Sequence, residues 1–132
     1  MEQELKRPEI IRIHFEKLEC RGSGKYIGEE YWQLGKPFTG FVVYDYHDNG
    51  FIEFEQEHVD GQTMGWEVEY HPNGKIKLET LQYGATSVVF REFDEQGNLA
   101  SEEGWVYPKE FYNSVARHTG MQTIDEYGYT DE

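Results

Sequence analysis

Glu67 and Glu79 fall on adjacent strands of one hairpin by their pattern, and two facing carboxyl groups are the minimum equipment for acid–base catalysis. Such a dyad works only where a concave, apolar pocket keeps one member protonated. The pattern puts these two on an open, solvated face, so no catalysis is expected from them. His47 and His71 precede two turns at the same place, and Asp94 stands there before a third turn. A His, His, Asp set could ligate a metal, but a polar residue at that place also hydrogen-bonds the turn backbone. The turn role is expected. Cys20 could serve as a nucleophile with His14, yet no helix N-terminus and no basic group beyond Arg21 would lower its pKa. GSGKYIG (22–28) lacks the GxxxxGK[ST] spacing of a phosphate loop. No catalytic, cofactor or metal residue is assigned, and no enzyme is expected.

Binding chemistry is a better match to the charge. The chain has 132 residues, 26 acidic against 12 basic, and a net charge of −14. That field repels nucleic acid and anionic membranes. It suits a basic protein partner, because opposite potentials steer encounter. The candidate partner-binding residues are Asp45, Glu53, Glu55, Glu67, Glu69, Glu79 and Glu92, all expected on one exposed face. Trp66 and Trp32 could anchor an interface, although the register below turns Trp66 toward a core. Cys20 is the only cysteine, so neither an intrachain disulfide nor a cysteine-based zinc site is available. MEQELKRPEI is charged and has no apolar stretch of signal-peptide length, and no window approaches a membrane span. These features predict a soluble protein of the cytoplasm.

The elements that carry these residues are mostly strands. Ten Tyr, eight Phe and three Trp favour extended structure. Residues 10–18 alternate, with Ile11, Ile13 and Phe15 on one side and Arg12, His14 and Glu16 on the other. RGSGK (21–25) breaks that strand, an extended piece follows around Tyr31 to Leu34, and KPFTG (36–40) reads as a turn.

A repeat then takes over. DYHDNGFIEF, EYHPNGKIKL and EFDEQGNLAS align Tyr46, Tyr70 and Phe93, then the Gly50, Gly74 and Gly97 turns, then Ile52, Ile76 and Leu99. Gly61 and Gly84 close the first two units. A three-residue loop such as Pro72-Asn73-Gly74 pairs Tyr70 with Ile76, Tyr46 with Ile52 and Phe93 with Leu99, with Gly supplying φ > 0 at its third position. Continuing that register without interruption pairs Val68 with Leu78 and Tyr44 with Phe54. On the other face it pairs Asp45 with Glu53, Glu69 with Lys77, Glu67 with Glu79 and Glu92 with Ala100. The repeats occupy 31–104. Pro108 and Gly120 bracket WVYPKEFYNSVARHTG, where Phe111, Val115 and His118 recur at helical spacing. The expected fold is one domain, 1–132: mainly β, an antiparallel sheet of repeated hairpins, with a short C-terminal helix within 105–120.

KPFTGFVVYDYHDNG followed by GQTMGWEVEYHPNGKIKLE resembles the MORN-repeat variant of the YwqK-type antitoxin family. Gly61, Gly65, Trp66, Tyr70, Asn73, Gly74, Ile76 and Glu79 carry the likeness in the central unit. Tyr46, Asn49, Gly50, Ile52 and Glu55 carry it in the first, and Pro37, Phe38, Thr39 and Gly40 form the lead-in. The third unit departs, with Gln96 for the Asn, Val88 for the second Gly and Val89 for the Trp. The resemblance implies an antitoxin or immunity protein that neutralises a cognate toxin, such as a nuclease or deaminase. The alternative is a MORN-like interaction scaffold that inhibits nothing.

Overall fold

Glycine sets the geometry of all three repeated turns. His47 N donates to Phe51 O (2.7 Å) and Gly50 N to His47 O (2.9 Å), and the same pair of bonds closes His71 with Lys75 and Asp94 with Asn98. Gly50, Gly74 and Gly97 have φ of +91°, +89° and +92°. Each loop is therefore a tight turn ending in a left-handed glycine. A Cβ at Gly74 would also lie 3.0 Å from Gln3 Cα and from the Phe51 ring. Gly74→Val should thus destabilise the fold by more than about 1 kcal/mol, and an unshifted denaturation midpoint would refute this account of the turn.

The computed structural model describes residues 2–23, 29–83 and 86–103, together with 113, 114 and 117. Among the described residues ten strands form two sheets: β1 (Arg12–His14), β2 (Glu19–Ser23), β3 (Glu29–Gln33), β4 (Lys36–Pro37), β5 (Gly40–Tyr46), β6 (Ile52–Val59), β7 (Gln62–Tyr70), β8 (Ile76–Tyr83), β9 (Thr86–Phe93) and β10 (Leu99–Glu103). The large sheet runs β1-β5-β6-β7-β8-β9-β10, antiparallel except that β1 lies parallel to β5. The small sheet, β2-β3-β4, was not foreseen as a separate layer. A two-residue turn at Leu34-Gly35, both at positive φ, joins β3 to β4. The expected helix and Gly84 lie outside the described residues, apart from Asn113, Ser114 and Arg117, which are helical.

The tip pairs are Tyr46–Ile52, Tyr70–Ile76 and Phe93–Leu99, as expected. Beyond them the register departs from expectation. One extra residue bulges out of the returning strand, so Glu69 faces Leu78, Val68 faces Glu79 and Glu67 faces Thr80. Asp45 likewise faces Phe54, and Glu92 faces Ser101. A one-residue slip moves every later side chain to the other face of its strand. Glu67 and Glu79 consequently lie on opposite faces of the sheet, which removes any dyad.

One face is the main core: Phe41, Val43, Ile52, Met64, Trp66, Val68, Tyr70, Leu81 and Val89, covered by Leu5 and Ile10 of the N-terminal segment. Full burial of such side chains contributes about 1.5–3 kcal/mol each. On the other face Val42 packs with Tyr31 of the small sheet and with Phe38 just after it, joined by Ile13, Leu18 and Tyr44. The Phe38-Thr39-Gly40 lead-in docks on the β6–β7 turn. Gly61 N donates to Phe38 O (2.8 Å), Tyr31 N to Gly61 O (3.1 Å), and Asp60 N to Thr39 Oγ1 (3.0 Å). Two N-terminal expectations fail. Phe15 starts a 3-10 turn (Phe15–Lys17) instead of extending the strand, and Ile11 is 64% exposed while Arg12 points inward.

Candidate interaction surface

The repeats are locked to one another at their turns. His47 Nε2 lies 2.8 Å from Tyr70 O, and His71 Nε2 lies 3.0 Å from Phe93 O, one unit further along. Asn49 Nδ2 donates to Pro72 O (2.6 Å) and Asn73 Nδ2 to Glu95 O (2.8 Å), while each Asn Oδ1 accepts from the backbone of its own turn. Position-equivalent His and Asn therefore form a structural ladder, in which each histidine side chain bonds the next repeat and not, as expected, the backbone of its own turn. In the third unit Asp94 instead accepts from Asn98 N and Gln96 N, and those bonds, Asn98 N foremost, hold its carboxyl below the usual range. The interlocking residues are lost at the last repeated turn, as expected of a terminal repeat.

The seven candidate carboxylates divide between the two faces. Glu55 and Glu79 are 0% and 2% exposed, so they cannot offer themselves to a partner. Both belong to the core-face row Val43–Glu55–Val68–Glu79–Arg91–Glu102, read across successive strands. An unpaired carboxylate there would be prohibitive, and the N-terminal segment supplies the cations. Arg12 forks onto Glu55, Nε to Oε1 at 2.8 Å and Nη2 to Oε2 at 3.1 Å. Tyr70 Oη donates to Glu55 (2.5 Å) and accepts from Lys6 N (3.1 Å). Lys6 Nζ lies 3.1 Å from Glu79, which Arg91 also approaches at 3.5 Å, and 3.9 Å from the centre of the Trp66 ring. Arg7 binds a third buried acid, Glu57, at 2.5 Å, and Glu57 also accepts from Trp66 N (3.1 Å).

Burial governs the titration of this network. It pushes the Glu55 carboxyl up, with Arg12 and Tyr70 pulling it back, and it pushes the Lys6 amine down against the pull of Glu79. It also raises the Tyr70 hydroxyl, as does the neighbouring Glu55. Glu57 and its cations escaped the sequence reading. The signal was there in Lys6, Arg7 and Arg12, three cations clustered ahead of an acidic repeat.

The other five acids stay outside the core. Asp45 is exposed, Glu53 is part-exposed and 3.9 Å from His47, and Glu67, Glu69 and Glu92 are half-buried. Glu67 accepts from Gln82 Nε2 (2.5 Å). Cross-strand pairing sets Asp45, Phe54, Glu69, Leu78, Glu92 and Ser101 in one continuous row on the face opposite the main core. The row alternates acid and apolar up to β9 because each repeat spans two strands. Strand spacing puts successive acids about 9–10 Å apart. Among the described residues no group of His, Cys, Asp and Glu could hold a metal ion, and no helix is long and apolar enough to cross a membrane. Trp66 is core, whereas Trp32 is part-exposed and carries the Arg21 guanidinium 3.9 Å from its ring centre. No protein-family model, curated protein or solved structure matches this chain.

Proposed function

We propose that this protein is an antitoxin, or immunity protein, acting in the cytoplasm, and that it neutralises a basic protein toxin by docking its acid-and-apolar row against it. The observation that carries this reading is the row itself, in which Asp45, Glu69 and Glu92 alternate with Phe54 and Leu78 on one face. Apolar rungs supply the buried area that holds a complex together, and carboxylates between them select a cationic surface and speed encounter. The buried ion pairs take no net negative charge from the outer surface. Removing Glu55, Glu57 and Glu79 with Arg12, Arg7 and Lys6, three of each sign, from 26 acidic and 12 basic residues leaves 23 against 9. The resemblance of the hairpin units to the YwqK-type antitoxins points the same way. A toxin that acts on nucleic acid has a basic groove, and carboxylates can stand there in place of phosphates.

Glu69→Lys with Glu92→Lys tests the proposal, because neither residue belongs to the buried network. Stability should change by less than about 0.5 kcal/mol. Association with the cognate basic toxin should slow by about tenfold or more at low salt, and protection of cells expressing that toxin should weaken. Full protection with an unchanged association rate would eliminate the row as the docking surface.

A further inference from the structure

An asparagine followed by glycine carries its own nucleophile. The glycine nitrogen, with no side chain to hinder it, can attack the asparagine Cγ and close a succinimide ring. The new N–C bond expels the side-chain nitrogen as ammonia. Water then opens the ring at one carbonyl to give aspartate, or at the other to give isoaspartate. No oxidant or cofactor takes part. The chain places this dipeptide at two of its repeated turns, Asn49-Gly50 and Asn73-Gly74, and has Gln96-Gly97 at the third.

The folded turns oppose each requirement of that attack. The nitrogen must give up its proton, yet Gly50 N donates to His47 O and Gly74 N to His71 O, both at 2.9 Å. The carboxamide must swing over the nitrogen, yet both its ends are pinned. Asn49 Oδ1 accepts from Phe51 N (3.0 Å) and Asn73 Oδ1 from Lys75 N (2.9 Å), while each Nδ2 donates to a carbonyl of the next unit. The two turns differ in cover. Asn49 and Gly50 are exposed, with open space around the Gly50 Cβ position. Asn73 is half-buried and Gly74 buried, against Gln3 and the Phe51 ring. Gln3 is itself clamped, since its side-chain amide donates to Ile52 O (2.9 Å) and accepts from Ile52 N (3.0 Å). Freeing Asn49 takes the opening of one turn, whereas freeing Asn73 also takes departure of the N-terminal segment. We propose that Asn49 and Asn73 are deamidation sites that the inter-repeat ladder holds inert, with Asn73 the more firmly locked. Reaction at either removes the donor that ties its turn to the next unit. Isoaspartate also adds a methylene to the main chain of a tight turn. The modification therefore uncouples neighbouring hairpins and marks chains that have opened. It stands apart from partner binding and does not depend on it.

Incubating the full chain at mildly alkaline pH, folded and in urea, with peptide mass spectrometry at successive times, tests this. In urea both asparagines should convert at similar rates, and Gln96, whose longer side chain must close a larger ring, should stay an amide. In the folded chain Asn49 should convert at least about tenfold more slowly than in urea, and Asn73 at least about fivefold more slowly than Asn49. Gln3→Ala loses both bonds to Ile52 and should speed Asn73 by about fivefold, more than it speeds Asn49. The parent chain alone decides the matter if that variant fails to fold. Folded rates equal to those in urea, or Asn73 reacting as fast as Asn49 in the folded chain, would overturn the lock. Asparagines that stay intact in urea would overturn the sites themselves.

Discussion

Arg12→Met should cost the folded chain about 3–5 kcal/mol at neutral pH, because it strands a carboxylate that water cannot reach. Glu55 is 0% exposed, and two of its three side-chain hydrogen bonds come from the Arg12 fork. Methionine fills much of the arginine's volume, so the loss reports charge more than packing. Arg12 also donates to the carbonyls of Lys6, Arg7 and Ile10, which gather the N-terminal segment over the core. Some of the penalty will therefore appear as loosening of that segment. Arg12→Met combined with Glu55→Gln should be markedly less harmful than the two single changes added together, since the pair then disappears as a unit.

The pH dependence identifies the cause. Burial already raises the Glu55 carboxyl above its ordinary value of 4.5, and Arg12 is the main force pulling it back. Without Arg12 the folded state binds that proton more tightly than the unfolded chain does. A raised carboxyl contributes stability at low pH and loses it as pH rises from about 4.5 through the folded value. The deficit of Arg12→Met relative to the parent should therefore shrink on acidification from pH ~7.5 toward ~5. Urea unfolding of both proteins at the two pH values would measure it, and a deficit that stays constant or grows on acidification would mean Glu55 is not the stranded group.

Parity decides how much of the sheet is legible in the sequence. The turn tips were legible because Pro72 and the three left-handed glycines leave the chain little freedom, and the three tip pairs follow directly. The bulges were harder to see, since each adds one residue without an unusual residue type. Their trace is nonetheless in the sequence: Ile76 and Leu81 both reach the core although they stand an odd number of positions apart. Strict alternation cannot do that. Once the bulge at Lys77 is admitted, Glu79 must face inward and a cation must be found for it. A strand glutamate read alone looks solvated, because what permits its burial sits some seventy residues away, at Lys6. The small sheet was illegible for a related reason. KPFTG reads locally as a turn, and its role depends on the distant β6–β7 turn that Phe38 and Thr39 grip.

Gly40→Ala should be the most damaging single methyl group that can be added to the PFTG lead-in. Gly40 opens β5 at φ +147°, outside the range that side-chain-bearing residues favour, and its Cβ would lie 2.6 Å from Ile11 O and 2.8 Å from Phe38 Cζ. Ile11 O is not free to move away. It accepts from Phe41 N at 2.8 Å, immediately before β1 pairs with β5, and the next residue is Arg12. Backbone strain of about 1–3 kcal/mol and overpacking of about 1–3 kcal/mol together predict a loss of about 2–6 kcal/mol. Gly35→Ala is the matched control, because Gly35 also has positive φ, +79°, but nothing lies within 4 Å of its Cβ position. It carries the strain without the overlap. If Gly40→Ala is no worse than Gly35→Ala in chemical denaturation, the contact with Ile11 does not hold the N-terminal segment in place. If it is worse, and its effect falls short of additive with Arg12→Met, both changes act by releasing β1 from β5, and the cations over the buried acids depend on that one parallel pairing.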